Sequence, residues 1–274
     1  MPSETTQTAG TGLLENRVAV VTGAGRGVGS AVAQAFAAEG AKLCLAARSG
    51  DELTHIQDRI HQMGGVAIAV PTDVTSQDDV DNLFKRVHQE LGHVDILVNN
   101  AAILGPTGML WELSMSSWQA VFDVNVTGLV RCSKAVLPDM IARQSGKIIN
   151  VGSIAGVRDS WAEGNPEWAA YASTKAAVLR ITQVVAHQVK QHGININCLG
   201  VIAHTKMWYE ASMELARFRG AAPPSKLKDI PKKELVLPEE NIGAFIFLAS
   251  ALSDHISGEY FEANQLPDHL RQST

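Results

Sequence analysis

Tyr171 and Lys175 stand four residues apart in Tyr171-Ala172-Ser173-Thr174-Lys175, at the head of an apolar stretch that continues through Ala176, Val178, Ile181 and Val185. On a helix that spacing puts both side chains on one face, about 5 to 6 Å apart at Cβ. A phenol with a pKa of about 10 exchanges protons poorly near neutrality. An ammonium about 4 Å away favours tyrosinate by roughly 4 kcal/mol at an effective dielectric of 20, or about three pK units before desolvation is subtracted. The pair therefore predicts a tyrosine that titrates near physiological pH. Ser153, in Gly152-Ser153-Ile154-Ala155-Gly156, follows the apolar run 147–151 and would lie at the carboxyl edge of a strand, where open α/β sheets bind ligands. Tyr171 donating a proton to a carbonyl oxygen, with Ser153 hydrogen-bonded to the same oxygen, is the chemistry these types suit.

The elements that must position these groups begin at residue 18. Val18, Ala19, Val20 and Val21 form an apolar run ended by Thr22-Gly23, and Val28, Val32 and Phe36 recur every four residues up to Glu39. That is a buried strand, a glycine turn and a helix. Glycines at 23, 25, 27 and 29 let the backbone approach a ligand, and the helix N-terminus beyond them favours a phosphate. Taken alone, the turn is also compatible with a tight strand-to-helix connection. Strands are predicted next at 42–46, 66–70 and 95–99, with helices at 51–63, 75–91 and 118–144. Further strands follow at 147–151, 194–199 and 259–263, with a last amphipathic helix at 241–253. Alternation of this kind implies βαβ units, a parallel sheet and right-handed crossovers.

The spacing Thr22-Gly23-x-x-x-Gly27-x-Gly29, followed by Asn99-Asn100-Ala101-Ala102, Asn125, Ser153 and Tyr171-x-x-x-Lys175, resembles the short-chain dehydrogenase/reductase family. The resemblance implies an α/β, Rossmann-like doubly wound sheet of about seven mostly parallel strands with helices on both faces. It also implies a nicotinamide cofactor along Gly23, Gly25, Arg26, Gly27, Val28 and Gly29, and then along Ser49, Asp73, Val74, Asn100 and Ala101. Tyr171 and Lys175 would also touch the cofactor, with Lys175 on the nicotinamide ribose. Asn125 falls mid-helix, where Asn is unfavourable; in relatives that Asn bends the helix and holds a water of the proton relay. Asp73 would accept from the adenine amino group, or serve as a turn or capping Asp beside Thr75 and Ser76.

Departures from the family pattern are informative. A fold of this kind that prefers NAD places an acid at the end of its second strand to bind the ribose hydroxyls. Here the strand ends Ala46-Ala47-Arg48-Ser49. Arg48 and Arg26 can grip a 2′-phosphate by charge-assisted hydrogen bonds, so NADP(H) is predicted over NAD(H); individually both are also ordinary solvated arginines. The segment between Ser153 and Tyr171 is longer than usual and holds Trp161, Glu163, Pro166, Glu167 and Trp168. Its tryptophans either wall a substrate pocket or anchor the loop by packing. After the sixth strand the usual Pro is missing, and Thr205 carries over as the residue meeting the phosphate or carboxamide. Residues 203–238 match the variable substrate lid, where Met207 and Trp208 suggest an apolar substrate.

Length and composition bound the rest. The 274 residues, 46% hydrophobic, can bury a substantial core, and a single domain spanning 14–274 after a disordered lead-in at 1–13 is the simplest division. A net charge of -5 without runs of like charge argues against a nucleic-acid or membrane surface. Three scattered cysteines point to a reducing, cytoplasmic setting, and His204 has no partner at metal-ligand spacing, so no metal is expected. The residues together predict an NADP(H)-dependent oxidoreductase for a carbonyl/secondary alcohol pair, with a small-molecule substrate. A nucleotide-binding sensor or scaffold without turnover is the alternative. Family members pair through two-fold interfaces, which implies a homodimer or homotetramer.

Overall fold

A computed structural model of the chain describes residues 12–203, 205–226 and 236–265. Residues 1–11 of the expected lead-in, residues 204 and 227–235 of the expected lid, and the tail from 266 lie outside them. The elements run β1 (Val18–Thr22), α1 (Gly27–Ala38), β2 (Lys42–Ala47), α2 (Gly50–Gln62), β3 (Val66–Pro71), α3 (Gln77–Glu90) and β4 (Ile96–Asn99). They continue through α4 (Met115–Phe122), α5 (Leu129–Arg143), β5 (Gly146–Gly152), α6 (Asp159–Gly164), α7 (Ala169–Val189), β6 (Ile194–Gly200), α8 (Lys206–Phe218), α9 (Ile242–Ala249) and β7 (Tyr260–Glu262).

All seven strands pair in parallel, in the order β3-β2-β1-β4-β5-β6-β7. The chain winds outward from β1 to β3, then returns to set β4 on the other side of β1. That reversal opens a crevice at the carboxyl ends of β1 and β4. Both faces of the sheet are covered, which is why β1 and β4 are apolar without alternation. One core joins the sheet to α1, α2 and α9 through Val32, Phe36, Ile56, Ile60, Phe245 and Leu248. The other joins it to α3, α5 and α7 through Val80, Leu83, Cys132, Val136, Met140 and Ala186. Leu14 is fully buried in the first core, and its amide donates to the Glu39 carbonyl at 3.0 Å.

Local signals set the helix starts. The Ser49 and Ser76 hydroxyls accept from the backbone amides of Glu52 and Asp79, capping α2 and α3. Ser114 does the same from Ser117, so the helix expected at 118 begins at Met115. Two expectations need correction. The single helix predicted over 118–144 is three segments, because Asp123–Gly128 forms a π-helical turn between α4 and α5. The segment predicted as amphipathic at 241–253 is the short helix α9 between 3-10 turns at Pro238–Asn241 and Ala251–Ser253. Ala244, Phe245, Phe247, Leu248 and Ala249 are all buried, since a helix apolar nearly all round belongs inside.

The three cysteines are buried free thiols, and burial pushes each thiol pKa up, that of Cys132 to about 12. No helix among the described residues is long and apolar enough to cross a membrane. A polar ladder crosses the second core: the Asn99 side-chain amide donates to Asn150 Oδ1 at 2.9 Å and to Ser133 Oγ at 3.1 Å. Asn150 Nδ2 in turn donates to Thr182 Oγ1 at 2.9 Å. This ladder ties β4 to β5, and β5 to α7, with Asn150 lying three residues before Ser153. Asn150→Ala should therefore cost about 1 to 3 kcal/mol of stability by stranding its buried partners, measured as a lower urea midpoint with an unchanged slope.

Candidate active site

The glycine turn after β1 is a cradle that side chains would fill. Gly23 and Gly27 have φ of +66° and +57°, in the left-handed region that glycine adopts without strain. A Cβ on Gly29 would collide with the Gly23 carbonyl oxygen and lie 2.6 Å from Asn100 Nδ2. Thr22 Oγ1 accepts from the amides of Asn100 and Ala101 at 3.0 and 3.1 Å, while Asn100 Nδ2 donates to the Thr22 and Gly23 carbonyls at 2.9 and 3.2 Å. The switch point between β1 and β4 is thus closed by one hydroxyl and one amide.

A cleft of about 540 Å³ runs along this edge. Gly23, Gly25, Arg26, Gly27, Val28, Arg48, Ser49, Asp73, Val74, Asn100, Ala101 and Thr205 all line it. Gly29, Tyr171 and Lys175 do not. Thr205 caps α8 by accepting from the Trp208 amide at 3.3 Å, and its methyl would lie 3.3 Å from a Cβ on Gly27, so the loop after β6 reaches the turn despite the missing Pro. Asp73 Oδ1 accepts from Thr75 N and Oγ1 at 2.9 and 2.8 Å, a turn role that leaves it in the cleft wall. Burial raises its pKa, but the Thr75 hydrogen bonds and the Arg48 and Arg131 charges prevail and lower it. The backbone cradle and the cationic end of the cleft fit a dinucleotide.

Ser153, Tyr171 and Lys175 converge beyond the end of β5 and are 8, 8 and 4% exposed. A Cβ on Gly156 would lie 2.5 Å from the Lys175 carbonyl carbon and the Ala176 amide nitrogen, so glycine lets the Ser153 loop pack on the backbone of α7. Lys175 Nζ donates to the Val151 carbonyl at 2.8 Å and lies 5.6 Å from the centre of the Tyr171 ring. Here the electrostatic expectation is reversed. Burial pushes the Tyr171 phenol up to about 12, against a lowering hydrogen bond from Ser153. Burial also pulls Lys175 down to about 8, with Cys198 beside it opposing the shift. Desolvation prevails for both groups, with the ammonium bonded to the Val151 carbonyl and lying over the ring.

Asn125 sits in the π-helical turn, 2% exposed. Its Oδ1 accepts from Ile103 N at 2.8 Å, and Nδ2 donates to Ile103 O and Thr174 Oγ1 at 2.9 and 3.0 Å. Both polar atoms are engaged with protein, so the side chain binds the connection after β4 to α7. Both amide hydrogens are committed to these partners, while Oδ1, with one donor, keeps a second lone pair.

Residues 17–215 match the family model for short chain dehydrogenase. The chain belongs to that family. It is 37% identical over 259 residues to galactitol 2-dehydrogenase of Agrobacterium fabrum, covering 92% of this chain and 97% of the relative. It is 36% identical over 255 residues to a 3-oxoacyl-[acyl-carrier-protein] reductase of Synechocystis, covering 92% and 96%. L-sorbose reductase of Gluconobacter frateurii, solved with NADPH and L-sorbose, superposes with a TM-score of 0.80 at 30% identity over 92% of this chain and 96% of that one. The short-chain dehydrogenases bind a nicotinamide cofactor, and this chain is a hydride-transfer oxidoreductase of that family.

The tyrosine of this short-chain dehydrogenase lies in a packed aromatic cluster, the roof of the site. The long segment before Tyr171 folds as α6 and a 3-10 turn at Pro166–Trp168. Trp168 is fully buried, donates from Nε1 to Thr107 Oγ1 at 3.1 Å, and meets Trp161 and Trp208 with ring centres 6.0 and 5.4 Å away. Trp161 lies 6.3 Å from the Tyr171 ring. Trp168 is therefore an anchor, while Trp161, Trp208 and Met207 pack against the cluster that contains Trp168 and Tyr171. The fastening is Glu167, 3% exposed, whose two oxygens accept from Arg219 Nε and Nη2 at 2.7 Å each. Arg219 also donates to the Gly164 carbonyl at 2.9 Å. The sequence marks Glu167 only as an acid among tryptophans and gives no sign of its partner.

The Arg219 hydrogen bonds hold the Glu167 carboxyl below its ordinary value of 4.5, against burial, which raises it. A depressed carboxyl pKa contributes stability above the ordinary value, and that contribution is lost as pH falls through the lowered one. Glu167→Gln should reduce stability by about 1 to 3 kcal/mol at pH 7, and thermal unfolding should show the difference from wild type shrinking below about pH 4.

Proposed function

We propose that this chain is an NADP(H)-dependent oxidoreductase that interconverts a carbonyl and a secondary alcohol, with Tyr171 as the proton-transfer group. The observation that carries this reading is the convergence of Ser153, Tyr171 and Lys175 at the end of β5, on the same sheet edge as a glycine cradle whose cleft is also lined by Arg26 and Arg48. The relatives act on galactitol, an acyl-carrier-bound 3-oxo group and L-sorbose, a range that shares only the carbonyl/alcohol pair.

At pH 7 a phenol near 12 is protonated and an amine near 8 remains an ammonium. Tyr171 thus holds the proton that the reduction direction consumes. The nicotinamide, when bound, supplies or accepts the hydride. Ser153 donates to the substrate oxygen and steadies its charge, and Lys175 would hold the nicotinamide ribose. Residues 14–274 serve as one nucleotide-binding domain, with 203–238 as its substrate lid, and Trp161, Trp208 and Met207 favour an apolar substrate. A cytoplasmic homodimer or homotetramer completes the reading.

Tyr171→Phe should bind NADPH as tightly as wild type while losing about 100-fold or more in turnover of aldehydes, ketones or diketones. Unchanged turnover in the variant would remove Tyr171 from the reaction. Wild-type protein that binds NADPH but turns over nothing in a broad panel would instead give the sensor reading. Direct titration should show NADPH bound more tightly than NADH; the reverse order would remove the 2′-phosphate role from Arg26 and Arg48.

A further inference from the structure

The sequence from Ser49 reads Ser-Gly-Asp-Glu, the spacing of a capping box, in which the acid at the third helical position reaches back to the amide of the capping residue. Only half of that box forms. Ser49 Oγ accepts from the Glu52 amide at 3.4 Å, but the Glu52 carboxylate turns across the cleft, 3.8 Å from Arg26 Nη1. Elsewhere in the chain the equivalent reach is made: Glu240 Oε1 accepts from the Leu237 amide at 3.0 Å. Glycine at 25 admits Glu52 to the turn, since a Cβ there would lie 3.0 Å from both the Glu52 Cβ and one of its carboxylate oxygens. Glu52 lines the same cleft as Arg26, Arg48 and Ser49.

The two cations at this end are therefore not equivalent. Arg48 is exposed and makes no ion pair among the described residues, whereas Arg26 is held by a carboxylate. Both side chains of the pair are about half exposed, 52 and 42%, so the pair is weak and exchangeable. We propose that Glu52 tempers selection of the 2′-phosphate: it occupies Arg26, and the phosphate binds there only by taking the guanidinium from it. A doubly charged phosphate with three acceptor oxygens wins that exchange at a reduced margin. NADH, which has ribose hydroxyls in place of the phosphate, meets a carboxylate able to accept from them.

This rests on the NADP(H) reading and refines it. The test is titration of NADPH and NADH into wild type, Glu52→Gln, Arg26→Gln and the double variant, followed by nucleotide fluorescence. Glu52→Gln should tighten NADPH about fivefold while NADH stays level or weakens, the size expected for one exposed ion pair. In the Arg26→Gln background the same Glu52 substitution should change NADPH binding by less than about twofold. No tightening in the single variant, or undiminished tightening without Arg26, would overturn the proposal. The wild-type preference is a separate result: tighter NADH binding there sinks the NADP(H) reading, while the shift caused by Glu52→Gln still decides the role of Glu52.

Discussion

Everything at the working edge of this sheet depends on the closure between β1 and β4. A single hydroxyl, Thr22 Oγ1, takes the amides of Asn100 and Ala101, and a single side-chain amide, Asn100 Nδ2, returns to the Thr22 and Gly23 carbonyls. Those bonds hold the glycine turn against the strand on the other side of the switch point. Without them the loop backbone would have neither its position nor a reason to expose its amides to a phosphate. Parallel pairing then carries the alignment outward, from Asn99 beside Asn150 to Gly152 beside Gly200. Ser153 is thereby delivered at the same edge as the cradle.

The chemistry beyond β5 is governed by a contest between solvation and attraction, and solvation wins. A lysine four residues from a tyrosine on a helix predicts a lowered phenol pKa, which presumes an ammonium aimed at the oxygen. In the folded chain the ammonium is bound to the Val151 carbonyl and lies over the ring, and both groups are nearly sealed from water. Each is pushed toward its neutral form. The protein at rest therefore stores a proton on Tyr171 rather than readily giving one up to solvent.

Much of this was legible in the sequence, and the limits of that legibility are physical. The glycine spacing, the strand-helix alternation and the Tyr171–Lys175 interval are local patterns whose meaning follows from backbone geometry. The π-helical turn was visible only as an ill-placed Asn125, because the contact that fixes it comes from Ile103, on a connection with no periodicity. The half-formed capping box at Ser49 followed the local rule until a cation on another loop offered Glu52 a different partner. The pairing of Glu167 with Arg219 has no local signature at all. Long-range ion pairs of this kind depend on tertiary placement, and neither residue is unusual where it stands.

That last pair has a consequence for how such a site changes over time. The segment over Tyr171 and the helix α8 that supplies Met207 and Trp208 share one buried carboxylate, so neither surface is an independent module. Replacing α8 together with Arg219, the residue that ends it, would leave Glu167 buried without its partner, and replacing the roof would leave Arg219 without its carboxylate. New substrate ranges in this lineage should thus arise by paired replacement of both segments, or only after the acid itself has been lost.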